Sequence, residues 1–364
     1  MTETKHGYLL LADISGYTSY LAQVELEHAH EILTDLLETI VEQFKTILTI
    51  SKLEGDAVFA IVDAERVIRP ESLLELIENT YIAFRRKRDS SQRATTCTCR
   101  ACQNINALEL KFFLHHGDYI VQSISGIREL VGSDINLIHR LTKNHITENT
   151  GWKAYALFTQ VAMECLDMQF EGLHPQDETY EHIGTVPTWT FDLIPRHQAL
   201  TSAQRVTIPR DEADVITSHE INAPLASLWD WMMDVQNRNK TMGGMGHWTA
   251  ISRGKGNRSG VGSINHCAHG KGSSQETILD WRPFEYATVE TVDGQAMFRE
   301  MLVFEPMDEG RRTKLEVRIK MLKPKPVFLA RFMMKMEFRK KNPYKMWFEI
   351  IEELLTKANS PSLS

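Results

Sequence analysis

The stretch Tyr8-Leu-Leu-Leu-Ala-Asp-Ile-Ser-Gly-Tyr-Thr18 begins as a short apolar run and ends in a small loop that contains a glycine. An apolar run of this length suits a buried strand and is far too short to span a membrane. Asp13 lies where the run ends, and apolar residues such as Leu33 and Ile40 then recur at helical spacing up to about residue 50. The stretch therefore predicts a buried strand, a carboxylate at its end and a loop that leads into a helix.

The rest of residues 1–195 alternates segments of strand and helix character. Strands are predicted at Ile47–Lys52, Asp56–Val62, Leu108–His115 and Tyr119–Ser125, hairpin turns at Glu54-Gly55 and Gly117-Asp118, and helices at Pro70–Arg88, Ile135–Lys143 and Ala154–Leu166. Strands mixed with crossover helices predict an α+β sandwich with a mostly antiparallel sheet.

Residues 196–212 have no clear periodicity and are predicted to be a linker, and residues 213–364 follow a different order. Strands are predicted at Val215–Ile221, Gly262–His266, Glu276–Trp281, Tyr286–Val292, Met297–Phe304 and Lys314–Leu322, with a helix after Asn222-Ala-Pro224 and a final helix from Val327 to about Lys357 that breaks near Asn342-Pro343. This order predicts a curved sheet and a long helix with an apolar cavity between them.

Length and composition limit the function classes. The chain has 364 residues, which at roughly 150 residues per domain indicates two domains. Apolar residues make up 42% and charged residues 24%, with a formal net charge of −7, a profile that is typical of a folded protein and argues against nucleic-acid binding. No signal-peptide layout is present, and the five cysteines do not form a disulfide pattern. We expect a reduced, cytoplasmic protein.

Two features of the first half bear on chemistry. Phosphate chemistry with two metal ions needs paired carboxylates on rigid backbone, and Asp13 and Asp56 lie at the ends of strands that one sheet could pair. Asn136 and Arg140 are four residues apart and share a helix face, from which an arginine could stabilise phosphate charge. An ordinary turn aspartate and a solvated surface arginine are the alternative interpretations.

Four segments together resemble the sequence blocks of class III nucleotidyl cyclase catalytic domains, in that family's order and at compatible spacing. They are Leu11-Ala-Asp-Ile-Ser-Gly-Tyr-Thr18, Lys52-Leu-Glu-Gly-Asp-Ala-Val-Phe-Ala60, Leu114-His-His-Gly-Asp118 and Val131-Gly-Ser-Asp-Ile-Asn-Leu-Ile-His-Arg-Leu141. The resemblance covers about residues 7–190 and implies a ferredoxin-like cyclase sandwich.

The resemblance implies a role for each matching residue. Asp13, Asp56 and the Ile14 carbonyl would hold two Mg²⁺ or Mn²⁺ ions, and the loop Ile14, Ser15, Gly16, Tyr17 and Thr18 would receive phosphate oxygens. Lys52 matches a base-selecting lysine of adenylate cyclases, whereas Glu129 stands where those enzymes usually have an aspartate, a departure that weakens the inference of purine choice. Asn136 and Arg140 match the ribose-orienting and transition-state residues.

The implied reaction converts ATP into cyclic AMP and pyrophosphate at the interface of a homodimer, with the aspartates from one subunit and the Asn136–Arg140 pair from the other. Members of the family that have lost activity leave an alternative open, a non-enzymatic nucleotide- or lipid-binding regulator with a degenerate cyclase fold. In a third interpretation the second domain is a lipid carrier and the first its dimerisation platform.

The segment Cys97-Thr-Cys99-Arg-Ala-Cys102 places three thiols within six positions. Three thiolates this close could bind Zn²⁺ with a fourth ligand from elsewhere, but zinc sites more usually show two separated pairs. A zinc site and a reduced loop without metal remain equal alternatives.

Residues 213–358 resemble the START-like, helix-grip superfamily of polyketide cyclases and lipid-transfer proteins in architecture. The resemblance rests on Asn222-Ala-Pro-Leu-Ala-Ser-Leu-Trp-Asp230, on Asp280-Trp-Arg-Pro-Phe-Glu285 and on the long final helix. It implies a pocket for a hydrophobic small molecule or lipid that regulates the cyclase. The candidate lining residues are Trp229, Met232, Met233, Met301, Phe328, Phe332 and Met336, and plain core packing is the alternative for each. Basic residues interleave with apolar ones at the start of the final helix, so transient contact with an anionic membrane is a second hypothesis beside a solvated helix face.

Overall fold

The computed structural model describes residues 3–22, 24–67, 69, 71–94, 100, 104–167, 172–203, 205–241, 246–253, 258–270, 272–324, 326–340 and 342–359. The chain divides into two compact units, Met1–Ala203 and Gln204–Ser364. Each unit has its own sheet.

The first unit is a mixed α+β structure. Its strands are β1 (Thr4–Ser15), β2 (Thr49–Glu54), β3 (Ala57–Asp63), β4 (Glu109–Ile124), β5 (Ile127–Val131), β6 (Tyr155–Thr159), β7 (His174–Tyr180) and β8 (Gly184–Asp192). Its helices are α1 (Tyr17–Leu21), α2 (Leu26–Phe44), α3 (Glu71–Ala94), α4 (Ser133–Arg140), α5 (Ile146–Thr150), α6 (Gln160–Leu166) and α7 (Leu193–Ser202).

The strands of the first unit lie in the order β2-β3-β1-β4-β6-β8-β7, and β5 pairs with the far end of β4. The segment from β1 to β4 is a β-α-β-β-α-β unit whose strands lie in the order β2-β3-β1-β4, which is the ferredoxin-like arrangement. Within the described strands of this sheet, β4 with β6 is the one parallel pair. The expected mostly antiparallel sheet is therefore observed.

Both faces of this sheet are buried. Leu9 and Leu11 of β1 point to the face that α4 covers with Ile135 and Ile138, and all four side chains belong to one core cluster. On the opposite face, Phe112 of β4 packs near Phe44 of α2, with ring centroids 6.4 Å apart. Alternation along β1 therefore fixes Asp13 on the same face of the sheet as Leu9 and Leu11.

Three predicted elements of this unit are wrong. The region from Leu108 to Ser125 is one strand, β4, because the residues at Gly117-Asp118 pair with β1 instead of turning. The segment Ala154–Leu166 is the buried strand β6 followed by the short helix α6, since Tyr155–Thr159 is buried at every position and pairs in the middle of the sheet. The single helix predicted from Tyr17 to about Ile50 is two helices, α1 and α2.

The described residues of the second unit form a strand, two short helices, six more strands and two final helices. They are β9 (Val215–Ile221), α8 (Leu225–Met233), α9 (Val235–Thr241), β10 (His247–Ser252), β11 (Ile264–His269), β12 (Gly272–Arg282), β13 (Tyr286–Asp293), β14 (Ala296–Met307), β15 (Arg312–Lys323), α10 (Val327–Lys340) and α11 (Pro343–Asn359). The antiparallel sheet has the order β10-β11-β12-β13-β14-β15-β9.

One face of the second sheet carries its core. Trp229 of α8 is fully buried and lies against Trp281 and Phe304, with ring centroids 5.0 and 5.1 Å away. Phe348 and Ile351 of α11 belong to the same core cluster. The helices α8 and α11 therefore cover the same face of the sheet.

The predicted linker at residues 196–212 is partly structured. Its first residues continue α7 to Ser202. Ile208 is buried against Met301 and Tyr286 of the second unit, and the backbone N–H of Val206 donates to Asp280 at 2.9 Å.

Among the described helices, none is long and apolar enough to cross a membrane.

Candidate functional site

Two carboxylates meet at the end of β1. In the antiparallel pairing of β1 with β3, Asp13 lies opposite Ala57, the residue that follows Asp56. The backbone N–H of Ile14 donates a hydrogen bond of 3.0 Å to the carbonyl oxygen of Asp56. The β2–β3 turn, where Gly55 has a left-handed φ of +67°, therefore places Asp56 directly beside the end of β1.

The two acids affect each other electrostatically. Burial, and then repulsion from Asp56, raise the pKa of Asp13 to about 6, while the positive charge of Lys111 opposes this rise. Burial also raises the pKa of Asp56. Two adjacent carboxylates that resist ionisation form a hard oxygen donor set, and a divalent cation would relieve their repulsion. Within the described part of the chain, no group of three or more His, Cys, Asp or Glu side chains is arranged to hold a metal.

Lys111 is a functional candidate that the sequence patterns did not single out. It lies directly opposite Asp13 on β4, its Nζ donates to Thr147 Oγ1 at 3.2 Å, and it stands 5.0 Å from the centre of the Tyr155 ring. Burial lowers its pKa and Asp13 opposes this. Lys111 stands between Leu110 and Phe112 in a largely buried strand, and this position was a usable signal because a charge there is costly unless it has a partner.

The loop after Asp13 depends on Gly16. Gly16 has a left-handed φ of +89°, and a Cβ there would lie 3.1 Å from the carbonyl oxygen of Ala107. The helix that the loop opens, α1, has five residues, so any phosphate contact from Ser15, Tyr17 or Thr18 would rely on individual backbone N–H groups.

Lys52 lies in a small charged cluster. Its Nζ is 2.8 Å from Glu54 Oε1 and 3.7 Å from Glu129 Oε2, and the hydrogen bond with Glu54 contributes most to the raised pKa of Lys52. The other oxygen of Glu54 lies 3.0 Å from His139 Nδ1, and burial lowers the pKa of that imidazole. Glu54 and His139 were not predicted as site residues, although both fall inside the quoted sequence segments.

Asn136 and Arg140 lie one turn apart on α4, and both side chains are exposed. No hydrogen bond or ion pair joins either side chain to another part of the described structure. The N-terminus of α4 is held by Asp134, whose Oδ2 accepts the backbone N–H of Asp118 at 2.7 Å. The helix is therefore fixed to β4 while its two polar residues stay available to solvent.

The predicted pocket residues of the second unit fall into three environments. Trp229, Met232 and Met233 are buried together in the core between the sheet and its helices. Met301 is buried on the opposite side of β14, against Ile208 and Tyr286, because strand alternation turns it away from that core. Phe328, Phe332 and Met336 were wrongly predicted to line the pocket, since they are 72%, 60% and 41% exposed on α10. The cysteines Cys97, Cys99 and Cys102 lie outside the described residues.

The core face of the second sheet also carries polar groups. Arg238 of α9 donates two hydrogen bonds of 2.9 and 2.8 Å to Glu276, and Asn265 donates to the same carboxylate at 2.7 Å. Tyr344 of α11 donates a hydrogen bond to Glu300. Burial, and then repulsion from Glu276, raise the pKa of Glu300 to about 7, so this face combines apolar walls with a few convergent polar groups.

Comparisons with known proteins show similarity over the first half of the chain. Residues 33–150 match the model of a family described as "Protein of unknown function (DUF2652)". The chain is 29% identical over 167 residues to an uncharacterized protein of Mycobacterium tuberculosis, Rv2561/Rv2562, a match that covers 44% of this chain and 73% of that protein.

Two cyclases are among the solved structures that are similar to this chain. The guanylyl cyclase Cya2 is 16% identical, with a TM-score of 0.41, over 52% of this chain and 92% of that structure. The adenylyl cyclase CyaB from P. aeruginosa is 17% identical, also with a TM-score of 0.41, over 53% of this chain and 96% of that structure.

Proposed function

We propose that the first unit is a nucleotidyl cyclase that converts ATP into cyclic AMP and pyrophosphate. The observation that carries the proposal is the meeting of Asp13 and Asp56 at the end of β1, where the Ile14 N–H joins the two segments. Paired acids on rigid strands, with a lysine directly opposite, suit a polyanionic substrate that brings divalent cations.

Each candidate residue would have a separate role when the ribose 3′-oxygen attacks the α-phosphorus. Asp13, Asp56 and the Ile14 carbonyl would hold two Mg²⁺ or Mn²⁺ ions, which when bound acidify the hydroxyl and neutralise phosphate charge. Lys111 would compensate negative charge near the acids. Asn136 would orient the ribose and Arg140 would stabilise charge that develops on the phosphate. The bond between the α-phosphorus and the pyrophosphate oxygen breaks as the 3′-oxygen–phosphorus bond forms, and the proton of the 3′-hydroxyl passes to solvent water.

The preference for ATP is part of the proposal and rests on Lys52. Its ammonium group, held between Glu54 and Glu129, is a donor that suits the ring nitrogen of adenine, and Glu129 could accept a hydrogen bond from the adenine amino group. Guanine presents a carbonyl where adenine presents that amino group, so Glu129 disfavours GTP.

Incubation of the purified full-length chain with ATP and Mn²⁺ or Mg²⁺ tests the proposed reaction. We expect cyclic AMP, and we expect Asp13→Ala and Arg140→Ala each to lower its formation by about 100-fold or more. Asp177→Ala, which removes an exposed carboxylate on β7, is the matched control and should leave the rate unchanged. Equal product from the site variants and the control would refute the site assignment. Nucleotide binding without turnover would favour a non-enzymatic regulator.

We further propose that the second unit is a helix-grip domain that binds a hydrophobic small molecule or lipid and regulates the cyclase. The order of strand, two helices, six-stranded meander and final helices supports this. So does a core face that combines Trp229, Met232 and Met233 with the polar groups of Arg238, Glu276 and Glu300.

Native mass spectrometry of the purified chain tests this second proposal. We expect a co-purified apolar molecule whose removal by organic extraction changes the rate of cyclic AMP formation. A chain that carries no such molecule after expression in several hosts, and whose rate does not respond to added lipid extract, would rule out this role.

A further inference from the structure

Helix α10 has an apolar side that the rest of the described structure leaves open. The other side of α10 has contacts, because Met334 is buried there and Arg331 forms an ion pair with Asp214 at 3.0 Å. The exposed side chains, which also include Lys335 and Glu337, contain five that are large and apolar. They are Phe328, Leu329, Phe332, Met333 and Met336, between 41% and 72% exposed. Their spacing places all five on one stripe of the helix, here called the α10 stripe.

Basic residues continue the α10 stripe toward the C-terminal end of the helix. Lys335 follows Phe332 by three residues, and Arg339 follows Met336 by three, so each lies on the same helix face as its apolar neighbour. Lys335, Arg339 and Lys340 are exposed, and no ion pair joins them to a described residue. The open face of α10 thus carries both apolar and cationic groups.

The apolar and cationic side chains together indicate which kind of surface binds the α10 stripe. A second copy of the chain packed face to face would bring the same cations together, which disfavours a symmetric contact. An anionic bilayer accepts both parts, since apolar side chains enter the boundary between headgroups and acyl chains while lysine and arginine reach the lipid phosphates. We propose that α10 docks onto a membrane surface that contains anionic phospholipids.

Vesicle co-sedimentation of the full-length chain tests the docking. We expect binding to phosphatidylcholine vesicles that contain phosphatidylserine, little binding to pure phosphatidylcholine, and a loss of binding as salt rises. The triple variant Lys335→Gln/Arg339→Gln/Lys340→Gln should weaken binding by roughly fivefold per charge, and Phe328→Ser/Phe332→Ser should weaken it at least as much.

Two matched controls separate docking from general surface properties. Arg128→Gln/Lys143→Gln/Lys153→Gln removes three exposed cations from the first unit, and Ile251→Ser/Val261→Ser removes two exposed apolar side chains from the second. Both controls should bind as the wild type does. Binding that ignores lipid charge, that is equal in the α10 variants and their controls, or that is absent while the α10 variants abolish self-association would overturn the proposal. If a variant fails to fold, the salt dependence of vesicle binding by the wild type still tests the proposal.

Discussion

At the scale of single residues, the candidate site is defined by two ionisable groups that lie opposite each other on neighbouring strands. Asp13 resists ionisation because it is buried beside Asp56, and Lys111 is held in the same setting by Thr147 and Tyr155. The aspartates were predicted from the sequence, because Asp13 lies where an apolar run ends and Asp56 follows the Glu54-Gly55 turn. The role of Lys111 depends on the register of β1 with β4, a long-range pairing that local patterns do not specify.

Asp13→Asn should raise stability while it removes function. Because the pKa of Asp13 is raised from 3.8 to about 6, the unfolded chain loses this proton first, so the charge destabilises the fold progressively from about pH 4 to 6 and fully above. We expect the free energy of unfolding of the variant to be about 1–2 kcal/mol higher than that of the wild type at pH 7.5 without metal. This gain is smaller than the free energy that corresponds to the whole pKa shift, because Lys111 loses its partner. Denaturant unfolding at pH 7.5 and pH 4 measures this.

The gain should fall to about 0.5 kcal/mol or less at pH 4, where Asp13 is neutral in the folded wild type and about half ionised in the unfolded chain. Millimolar Mg²⁺ should stabilise the wild type alone. Asp177→Asn is the control, with no expected change at either pH. A variant that is less stable than the wild type at pH 7.5 would show that Asp13 is stabilised as an anion.

Glu54→Gln should act on nucleotide recognition through Lys52. Glu54 contacts Lys52 at 2.8 Å and His139 at 3.0 Å, so its loss leaves the lysine free to reach Glu129 or solvent. We expect KM for ATP to rise several-fold, kcat to change little, and the ratio of ATP to GTP turnover to fall. Steady-state kinetics with both nucleotides provides the measurement. Glu65→Gln, at an exposed position, should leave all three values unaltered, and an unchanged ATP to GTP ratio in Glu54→Gln would exclude a positioning role for Glu54.

At the scale of elements, the errors in the first unit share a physical cause. Gly117-Asp118 and Ser125-Gly126 both have turn composition, but only the second turns, with Ser125 and Gly126 both at positive φ. Gly117 is extended because it pairs with β1, and glycine is required there because a bulkier residue would collide with the side chain of Asp134. A glycine selected for close approach and one selected for a turn have the same local signature, and only the tertiary structure distinguishes them.

Gly117→Ala should loosen α4 from the sheet. A Cβ at this position would lie 2.8 Å from the Cβ of Asp134, and Asp134 anchors the helix that carries Asn136 and Arg140. We expect a loss of about 1–3 kcal/mol in the free energy of unfolding, together with a lower rate of cyclic AMP formation.

Denaturant titration gives the stability, and Gly260→Ala, where no atom lies within 4 Å of the new Cβ, is the control and should be neutral. The double variant Gly117→Ala/Asp134→Gly, which removes every side-chain atom that the new Cβ would meet, should recover part of the lost stability. If Gly117→Ala has the same free energy of unfolding as the wild type, then Asp134 moves aside without loss of stability.

At the scale of the whole molecule, the order of elements was more predictable than their chemistry. Chain length and a change in the order of segments predicted two domains, and the structure has two compact units, Met1–Ala203 and Gln204–Ser364. Most strands of the second unit were predicted from alternation, because a sheet with one core face imposes that pattern. The lining of its core was predicted less well, since Phe328 and Phe332 have the composition of a pocket but lie on the open side of α10. Helical periodicity identifies an apolar face without saying what covers it.

The proposed homodimer predicts complementation between inactive variants. If Asp13 of one subunit works with Arg140 of the other, then mixing Asp13→Ala with Arg140→Ala restores one intact site in each mixed dimer. Random exchange of subunits should then recover up to about a quarter of the wild-type rate. Activity is measured after co-refolding or co-expression, with each variant alone as the control. No recovery, despite mixed dimers seen by mass spectrometry, would place both residues in one subunit's site.

The unbroken course of β4 restricts how this chain can change in length. The strand presents Lys111 to Asp13 near one end and pairs Gln122 with Glu129 near the other. Because side chains alternate along a strand, one inserted residue between these positions would turn one of the two ends to the opposite face of the sheet. We therefore expect insertions and deletions among related chains to avoid this interval and to accumulate at the Ser125-Gly126 turn.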